Sequence, residues 1–315
     1  MTPLGAEIAA LVAAGGPISF ERYMELCLAH PQHGYYMTRD PFGAAGDFVT
    51  APEISQMFGE LVGAWAAIVW RQMGEPRRVT LAELGPGRGT LMADALRACR
   101  AIPGFLAALD VRMVETSPLL RARQAEKLQG VEAAVEWCDS VEDLPPGPLI
   151  AVANEFFDAL PVRHYVRGSN GWYERLVGVR GAGELVFGLS PAPEPALRFA
   201  APAGTVLEIG AAAHRVMAAL AARLVAQGGA ALVIDYGHVE TALGETAQAM
   251  RGHAAVGLLD DPGECDLTAH VDFASLARAA RASGARVHGP VTQAELLKGL
   301  GVYERATQLK RSATP

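Results

Sequence analysis

Short apolar runs alternate with amphipathic stretches along the middle of the chain. A short apolar run without helical spacing fits a strand covered on both faces, and the stretches between the runs carry apolar residues at helical spacing. This alternation of strand and helix predicts an α/β fold with a mainly parallel sheet. The predicted strands lie near residues 79–84, 110–117, 135–140, 149–153 and 230–237.

The first 60 residues have a different pattern, because their apolar positions recur at helical spacing with few strand-like runs. Thr50 and Glu53 fit a capping box, which predicts that a helix begins there and continues through the apolar stripe of residues 54–69. Residues 1–60 are therefore predicted to form an N-terminal helical extension.

A third pattern appears near residues 162–205, where short β-prone segments are separated by glycine turns. This predicts an inserted β-hairpin region. The predicted organisation is a helical extension over 1–60, followed by a main domain over 61–315 that contains this insertion.

A glycine-rich turn lies between the first predicted strand and the next helix. Gly85, Gly87 and Gly89 follow the G-x-G-x-G pattern, and such a turn lets a ligand lie against the backbone. Thr90 stands where the dinucleotide fingerprint needs its third glycine, which disfavours a nicotinamide-dependent oxidoreductase without excluding it. Glu83 would repel a phosphate but suits an ammonium group. An ordinary turn between strand and helix is the structural alternative.

Acidic residues close the next two predicted strands. Glu115 stands at the end of the second strand, where a carboxylate accepts hydrogen bonds from ribose hydroxyls in nucleoside-binding folds. Asp139 follows the third strand, where it would face the adenine or simply start a loop. Together with the glycine turn, Glu115 favours a nucleoside ligand.

Polar residues also follow the most apolar predicted strand, residues 149–153. Asn154, Glu155 and Asp158 come directly after it, and ligands of such folds sit beyond the carboxyl ends of the strands. Asp47 lies in a glycine-rich loop that precedes a helix, which also suggests a ligand.

Composition narrows the function classes. The net charge of −7 argues against nonspecific binding to nucleic acid. The four cysteines form no C-x-x-C pair, which predicts buried, reduced thiols. His30 and His33 are separated by a proline, and we expect no metal there. No signal peptide and no membrane span is recognised, so a cytoplasmic location is expected. The sequence leaves the oligomeric state open.

Taken together, these motifs resemble the MidA-like family of class I S-adenosylmethionine-dependent methyltransferases. Mitochondrial members of that family resemble protein arginine methyltransferases that assist the assembly of respiratory complex I. The resemblance covers most of the chain and rests on five segments in order, at residues 46–60, 83–90, 154–161, 234–237 and 266–273.

The resemblance implies a Rossmann-like fold, S-adenosylmethionine as co-substrate, no metal, and a protein substrate, with a complex I subunit as the candidate. For eukaryotic relatives it implies the mitochondrial matrix. A non-catalytic assembly factor on the same fold remains an alternative. The expected cofactor-binding residues are Glu83, Gly85, Gly87, Gly89, Thr90, Glu115, Asp139 and Asn154. The expected catalytic residues are Glu155, Asp158 and Asp47, although the first two differ in spacing from the paired glutamates of well-known arginine methyltransferases.

Overall fold

The computed structural model of the protein describes residues 1–40 and 50–312. The chain divides into two compact units, each assembled from separate stretches of sequence. The parallel-sheet unit consists of Pro41–Phe156, Ala218–Ile234 and Ala279–Pro315, and the antiparallel-sheet unit consists of Met1–Asp40, Phe157–Met217 and Asp235–Arg278. The domain division predicted after residue 60 falls within a helix and stays a prediction.

The helices of the described residues are α1 (Pro3–Gly15), α2 (Phe20–Ala29), α3 (Tyr35–Thr38), α4 (Ala51–Ile54), α5 (Gln56–Gln72), α6 (Thr90–Cys99), α7 (Phe105–Ala108), α8 (Pro118–Lys127), α9 (Ala211–Gln227), α10 (Phe273–Ala282), α11 (Gln293–Gly299) and α12 (Val302–Ser312). All helices in this part of the chain are too short or too polar to cross a bilayer.

The strands are β1 (Ile18–Ser19), β2 (Val79–Leu84), β3 (Leu109–Val114), β4 (Ala134–Cys138), β5 (Leu149–Asn154), β6 (Arg163–Arg167), β7 (Trp172–Arg180), β8 (Glu184–Leu189), β9 (Val206–Ile209), β10 (Gly229–Ile234), β11 (Gly237–His238), β12 (Gln248–Arg251), β13 (Ala254–Val256), β14 (Asp266–Thr268) and β15 (Val271–Asp272).

The parallel-sheet unit contains a five-stranded, all-parallel sheet in the order β10-β5-β2-β3-β4. β2 is buried over its full length, and β5 is buried up to its last residue, as expected for central strands covered on both faces. Leu84 pairs with both Val114 and Ala153, so the carboxyl ends of β2, β3 and β5 lie at one edge. The predicted α/β fold with a mainly parallel sheet is confirmed.

Helices α5 and α6 pack closely because α5 carries glycines where the α6 backbone passes. A Cβ atom on Gly63 would lie 2.7 Å from the carbonyl oxygen of Ala95, and a Cβ atom on Gly59 would lie 2.6 Å from the Cβ of Asp94. Since α6 begins at the glycine turn, this packing fixes the helix that follows the turn.

Gly63→Ala is therefore expected to destabilise the protein by about 1–3 kcal/mol, because the added methyl group meets backbone atoms. The better helix propensity of alanine offsets up to about 1 kcal/mol of this. Gly15→Ala at the end of α1 is the matched control, since nothing lies within 4 Å of the added Cβ. Urea denaturation of both variants checks the prediction, and equal free energies of unfolding would contradict it.

The capping box predicted at Thr50 and Glu53 is not formed. The Thr50 side chain makes no capping hydrogen bond, and the short helix α4 that follows it ends at Ile54. Ser55 then caps α5 by accepting a hydrogen bond from the Met57 N–H group at 3.3 Å. The predicted helix is thus divided because Ser55 adopts an extended conformation with φ at −155°.

The antiparallel-sheet unit contains strands in the order β1-β7-β6-β9, with β8 paired to β7. β7 and β8 form a hairpin within the predicted insertion, but β6, β9 and β1 extend it into a five-stranded sheet. Apolar residues of α1 and α2 pack in one core with Val177 and Leu267. Two smaller sheets, β13-β12-β14 and β11-β15, complete this unit.

Candidate functional site

The glycine turn lies at the carboxyl edge of the parallel sheet, between β2 and α6. Gly85, Gly87 and Gly89 have φ values of 61°, 53° and 79°, a conformation that residues with a Cβ rarely adopt. A Cβ atom on Gly85 would also lie 2.8 Å from the Phe156 ring. The positive φ values and, at Gly85, the packing against Phe156 therefore require glycine in this turn.

Glu83 is a buried acid that pairs with no basic side chain in the part of the chain that the structure describes. It lies within β2, and only 3% of its surface is exposed. Burial raises the pKa of Glu83 to about 8, although a hydrogen bond from the Met92 N–H group opposes the increase. Its Oε2 atom is buried and has no hydrogen-bond partner among residues 1–40 and 50–312. A ligand ammonium group would supply the missing donor and the missing positive charge.

Glu115 follows β3 directly and its carboxylate is held from two sides. The Ser117 N–H group donates to Oε1 at 2.8 Å, and Gln124 Nε2 donates to Oε2 at 3.1 Å. Burial raises the pKa of Glu115, and these hydrogen bonds oppose the increase. The structure therefore presents an oriented carboxylate where a ribose hydroxyl is expected to bind.

Asp139 lies beyond the end of β4, and 77% of its side chain is exposed. Arg121 Nη2 donates to Asp139 Oδ1 at 2.6 Å, and the same guanidinium donates to the backbone carbonyl of Glu115. Arg121 thus connects the two acidic positions. The contact of Asp139 with adenine stays a prediction.

Two further predicted residues carry buried oxygen atoms that have no hydrogen-bond partner among the described residues. Thr90 Oγ1 is at the start of α6, and Asn154 Oδ1 is at the end of β5. Asn154 Nδ2 lies 3.5 Å from Glu155 Oε1. Glu155 has a φ of 48°, which is uncommon for a residue with a side chain and concentrates at functional sites.

The polar atoms of these residues can be compared with the polar groups of S-adenosylmethionine. Glu83 of β2, Asn154 of β5 and Thr90 at the start of α6 each carry a buried oxygen that no described residue pairs with. The molecule carries an ammonium group and hydroxyl groups that could donate to such oxygens, and its methionine end could lie against the glycine backbone. These oxygen atoms, which accept hydrogen bonds, therefore fit this compound, and Glu115 is available for the ribose.

Asp158 belongs to the antiparallel-sheet unit and lies in a second acidic group. Asp235 Oδ2 accepts hydrogen bonds from the N–H groups of Phe157 and Asp158 at 3.0 and 3.3 Å. Tyr236 interacts with the Asp158 carboxylate, which opposes the effect of burial on the pKa of Asp158. Burial raises the pKa of both carboxyls, and the charge of Asp158 raises that of Asp235 further.

No arginine, lysine or histidine of residues 1–40 and 50–312 forms an ion pair with Asp158 or Asp235. Only 5% of the surface of Asp158 is exposed, and its Oδ1 atom has no hydrogen-bond partner within the described ranges. Asp158 is buried and Asp235 is half-buried, and two such neighbouring acids without a cation are unfavourable unless they share a proton or receive a cationic ligand. This makes the pair a candidate site for such a ligand.

Three predicted catalytic acids therefore fall in different places. Glu155 belongs to the parallel-sheet unit with the predicted cofactor residues, and Asp158 belongs to the antiparallel-sheet unit. Asp47 lies outside the described residues. The described residues contain no group of three or more metal-ligating side chains, and His30 and His33 both contact Glu7.

Sequence reasoning did not select Gln124, Asp235 or Tyr236. Asp235 and Tyr236 lie in the segment 234–237 that contributed to the resemblance, so that segment was the available signal. Gln124 had no such signal, because its partners come from segments distant in sequence.

The all-parallel sheet with a G-x-G-x-G turn at its carboxyl edge defines the Rossmann-like architecture of class I S-adenosylmethionine-dependent methyltransferases. A family model described as "Putative S-adenosyl-L-methionine-dependent methyltransferase" matches residues 61–291. The chain belongs to this methyltransferase family, and S-adenosylmethionine is its co-substrate. The oxidoreductase alternative finds no support in these comparisons.

Named relatives cover nearly the whole chain. The mitochondrial protein arginine methyltransferase NDUFAF7 of Danio rerio is 39% identical over 98% of this chain and 79% of its own length. The human protein of the same name is 36% identical over 97% of this chain and 75% of its own length. A crystal structure from Burkholderia thailandensis, bound to S-adenosyl-homocysteine, is 32% identical with a TM-score of 0.84, covering 97% of this chain and 82% of that one.

These relatives also correct one expectation. The sequence predicted a cytoplasmic location because no targeting segment was recognised, whereas the curated relatives are mitochondrial proteins. The prediction of a cytoplasmic location is therefore wrong. Its premise was weak, because a missing targeting pattern carries little information about location.

Proposed function

We propose that this methyltransferase methylates an arginine side chain of a protein, and that the protein is a subunit of respiratory complex I. The names of the relatives support arginine as the acceptor. The observation that carries the proposal is the pair formed by the buried Asp158 and the half-buried Asp235, which lacks a cation among the described residues. A guanidinium group provides one delocalised charge and several N–H donors for two carboxylates.

The parallel-sheet unit would hold the co-substrate. Glu83 would pair with the ammonium group, the glycine turn with the methionine backbone, and Glu115 with the ribose, while Thr90, Asp139 and Asn154 complete the predicted contacts. When bound, S-adenosylmethionine supplies a methyl carbon attached to a positively charged sulfur that leaves as a neutral thioether. Holding the acceptor at attack distance can lower the activation barrier by roughly 7–11 kcal/mol.

The acidic residues would prepare the acceptor. A guanidinium group stays protonated near neutral pH, and its delocalised charge makes each nitrogen a poor nucleophile. Carboxylates that accept hydrogen bonds from two of its nitrogens would localise the positive charge on those two atoms. The third nitrogen would keep its electron density and form the new N–C bond. We assign this role to Asp158, with Asp235 beside it, and retain Glu155 and Asp47 as further candidates. The proton lost from the methylated nitrogen passes to a carboxylate or to water.

The experiment uses the full chain, S-adenosylmethionine labelled in its methyl group, and complex I purified from cells that lack this protein. We expect label in one complex I subunit, recovered as methylarginine after acid hydrolysis. Glu83→Gln provides the control for donor-dependent labelling. Label on another residue type would contradict arginine as the acceptor. Tight donor binding without any labelled protein would instead support a non-catalytic assembly factor.

A further inference from the structure

A fully buried side-chain amide connects three parts of the predicted S-adenosylmethionine site. Gln124, on α8, has 0% exposed surface. Its Nε2 atom donates to the Gly87 carbonyl oxygen at 2.7 Å and to Glu115 Oε2 at 3.1 Å. Its Oε1 atom accepts a hydrogen bond from Trp137 Nε1 at 2.7 Å. One side chain therefore forms hydrogen bonds with the glycine turn, with the Glu115 carboxylate that is predicted to bind the ribose, and with strand β4.

The chemistry of the partners fixes the orientation of this amide. A backbone carbonyl only accepts hydrogen bonds and an indole N–H only donates them, so the NH₂ group must face Gly87 and the oxygen must face Trp137. An ionised glutamate could not donate to Gly87, and methionine could satisfy none of the three partners. The Gln124 side chain also packs against Gly89, where an added Cβ would lie 3.4 Å from its Cγ.

We propose that Gln124 is a positioning residue that holds the Gly87 peptide and the Glu115 carboxylate in one fixed arrangement for S-adenosylmethionine. The proposal rests on the co-substrate of the family and is independent of the methyl acceptor. Without Gln124, Glu115 loses one of its hydrogen-bond donors and can turn away from the ribose. The Gly87 carbonyl and the Trp137 N–H group would lose their partners as well, which is costly for buried groups.

The test compares Gln124→Met with the wild-type protein by isothermal titration of two probes. One probe is S-adenosyl-homocysteine, and the other is its analogue that lacks both ribose hydroxyls. We expect Gln124→Met to weaken binding of S-adenosyl-homocysteine roughly ten- to a hundredfold. Binding of the analogue should weaken much less, because the analogue has no ribose hydroxyl that could donate a hydrogen bond to Glu115. The ratio of the two dissociation constants should therefore approach one.

Trp137→Phe is the matched control, because it removes the indole N–H group and leaves both amide donors of Gln124 in place. We expect this variant to keep a ratio close to that of the wild type. Equal weakening of both probes by Gln124→Met would overturn the proposal, as would an equal collapse of the ratio in both variants. Failure of the wild type to bind S-adenosyl-homocysteine would overturn the co-substrate assignment first, and the proposal with it.

Discussion

Glu83→Gln is expected to weaken binding of S-adenosylmethionine about a hundredfold. Removing one partner of a buried, hydrogen-bonded charge pair costs about 2–5 kcal/mol, and a hundredfold change lies in that range. Glutamine keeps the shape of Glu83 and an oxygen for the Met92 N–H group, but it carries no charge for the ammonium. Isothermal titration with S-adenosylmethionine measures the change, and unchanged affinity would show that Glu83 does not bind the ammonium group.

The same residue predicts a pH dependence. With a pKa of about 8, Glu83 is mostly protonated at pH 7 in the free protein. An ammonium group favours the ionised carboxylate, so binding at pH 7 should release close to one proton per site. Affinity should rise from pH 6 to about pH 8, then fall as the ligand α-amino group, with an ordinary pKa of roughly 7.7–8.0, loses its proton. Titrations in buffers of different ionisation enthalpy measure this release, which Glu83→Gln should abolish.

The stability of the ligand-free variant provides the control. The pKa of Glu83 is higher in the folded state than its usual value of 4.5, so the folded protein holds this proton more tightly than the unfolded chain. Its contribution therefore destabilises the fold increasingly as pH rises from about 4.5 to 8. Glu83→Gln removes that effect and should melt at a higher temperature than the wild type at pH 8.5. A lower melting temperature would attribute weak binding to damage of the fold.

Local sequence signals predicted the parallel sheet and its glycine turn well. The central strands β2 and β5 appear as apolar runs because their neighbours cover both faces. The turn was predictable because positive φ at Gly85, Gly87 and Gly89 restricts those positions to glycine. Glu115 was predictable because it stands at the end of the second predicted strand. These features depend on residues that are neighbours in sequence.

Features that depend on distant residues were not predictable in the same way. Gln124 lies on the most polar part of a short helix, and its burial depends on Trp137 and on the Gly87 peptide, 37 residues away. Asp235 lies 78 residues from the Phe157 N–H group that it binds. The insertion was predicted as a hairpin because its pairings with β1 and β9 are not visible in local spacing. Sequence patterns therefore found the ends of the strands but not the side chains that support them.

Asp158→Asn is expected to lower kcat for arginine methylation by roughly two to three orders of magnitude, with no change in affinity for S-adenosyl-homocysteine. Loss of one preorganised group that stabilises developing charge typically has an effect of about 10²–10³ on kcat. Asparagine keeps the size of Asp158 and an oxygen for the Tyr236 hydroxyl, but it cannot localise the charge of a guanidinium group. The methyl acceptor in this measurement is the complex I subunit that the labelling experiment identifies, in its unmethylated form. The affinity for S-adenosyl-homocysteine is determined by titration.

Asp272→Asn is the matched control for this variant. It makes the same chemical change in the same unit, at the start of α10, where Asp272 Oδ1 accepts a hydrogen bond from the Ser275 N–H group at 2.8 Å. The amide oxygen of asparagine can accept that bond, so activity should stay near the wild-type value. Full activity of Asp158→Asn would reject Asp158 as the residue that prepares the acceptor, and Glu155→Gln would then be the next variant to measure.

The pH profile separates a charge role for Asp158 from a packing role. Burial raises the pKa of both Asp158 and Asp235, so the pair holds a proton at pH values where an ordinary carboxyl, with a pKa near 3.9, is ionised. A guanidinium group must displace that proton, so kcat/KM for the acceptor should fall on acidification well above pH 4. Asp235→Asn should shift this fall to lower pH, because it removes the ionisation whose pKa the charge of Asp158 raises. A profile that keeps its midpoint in Asp235→Asn would mean that the two acids do not bind the acceptor as a pair.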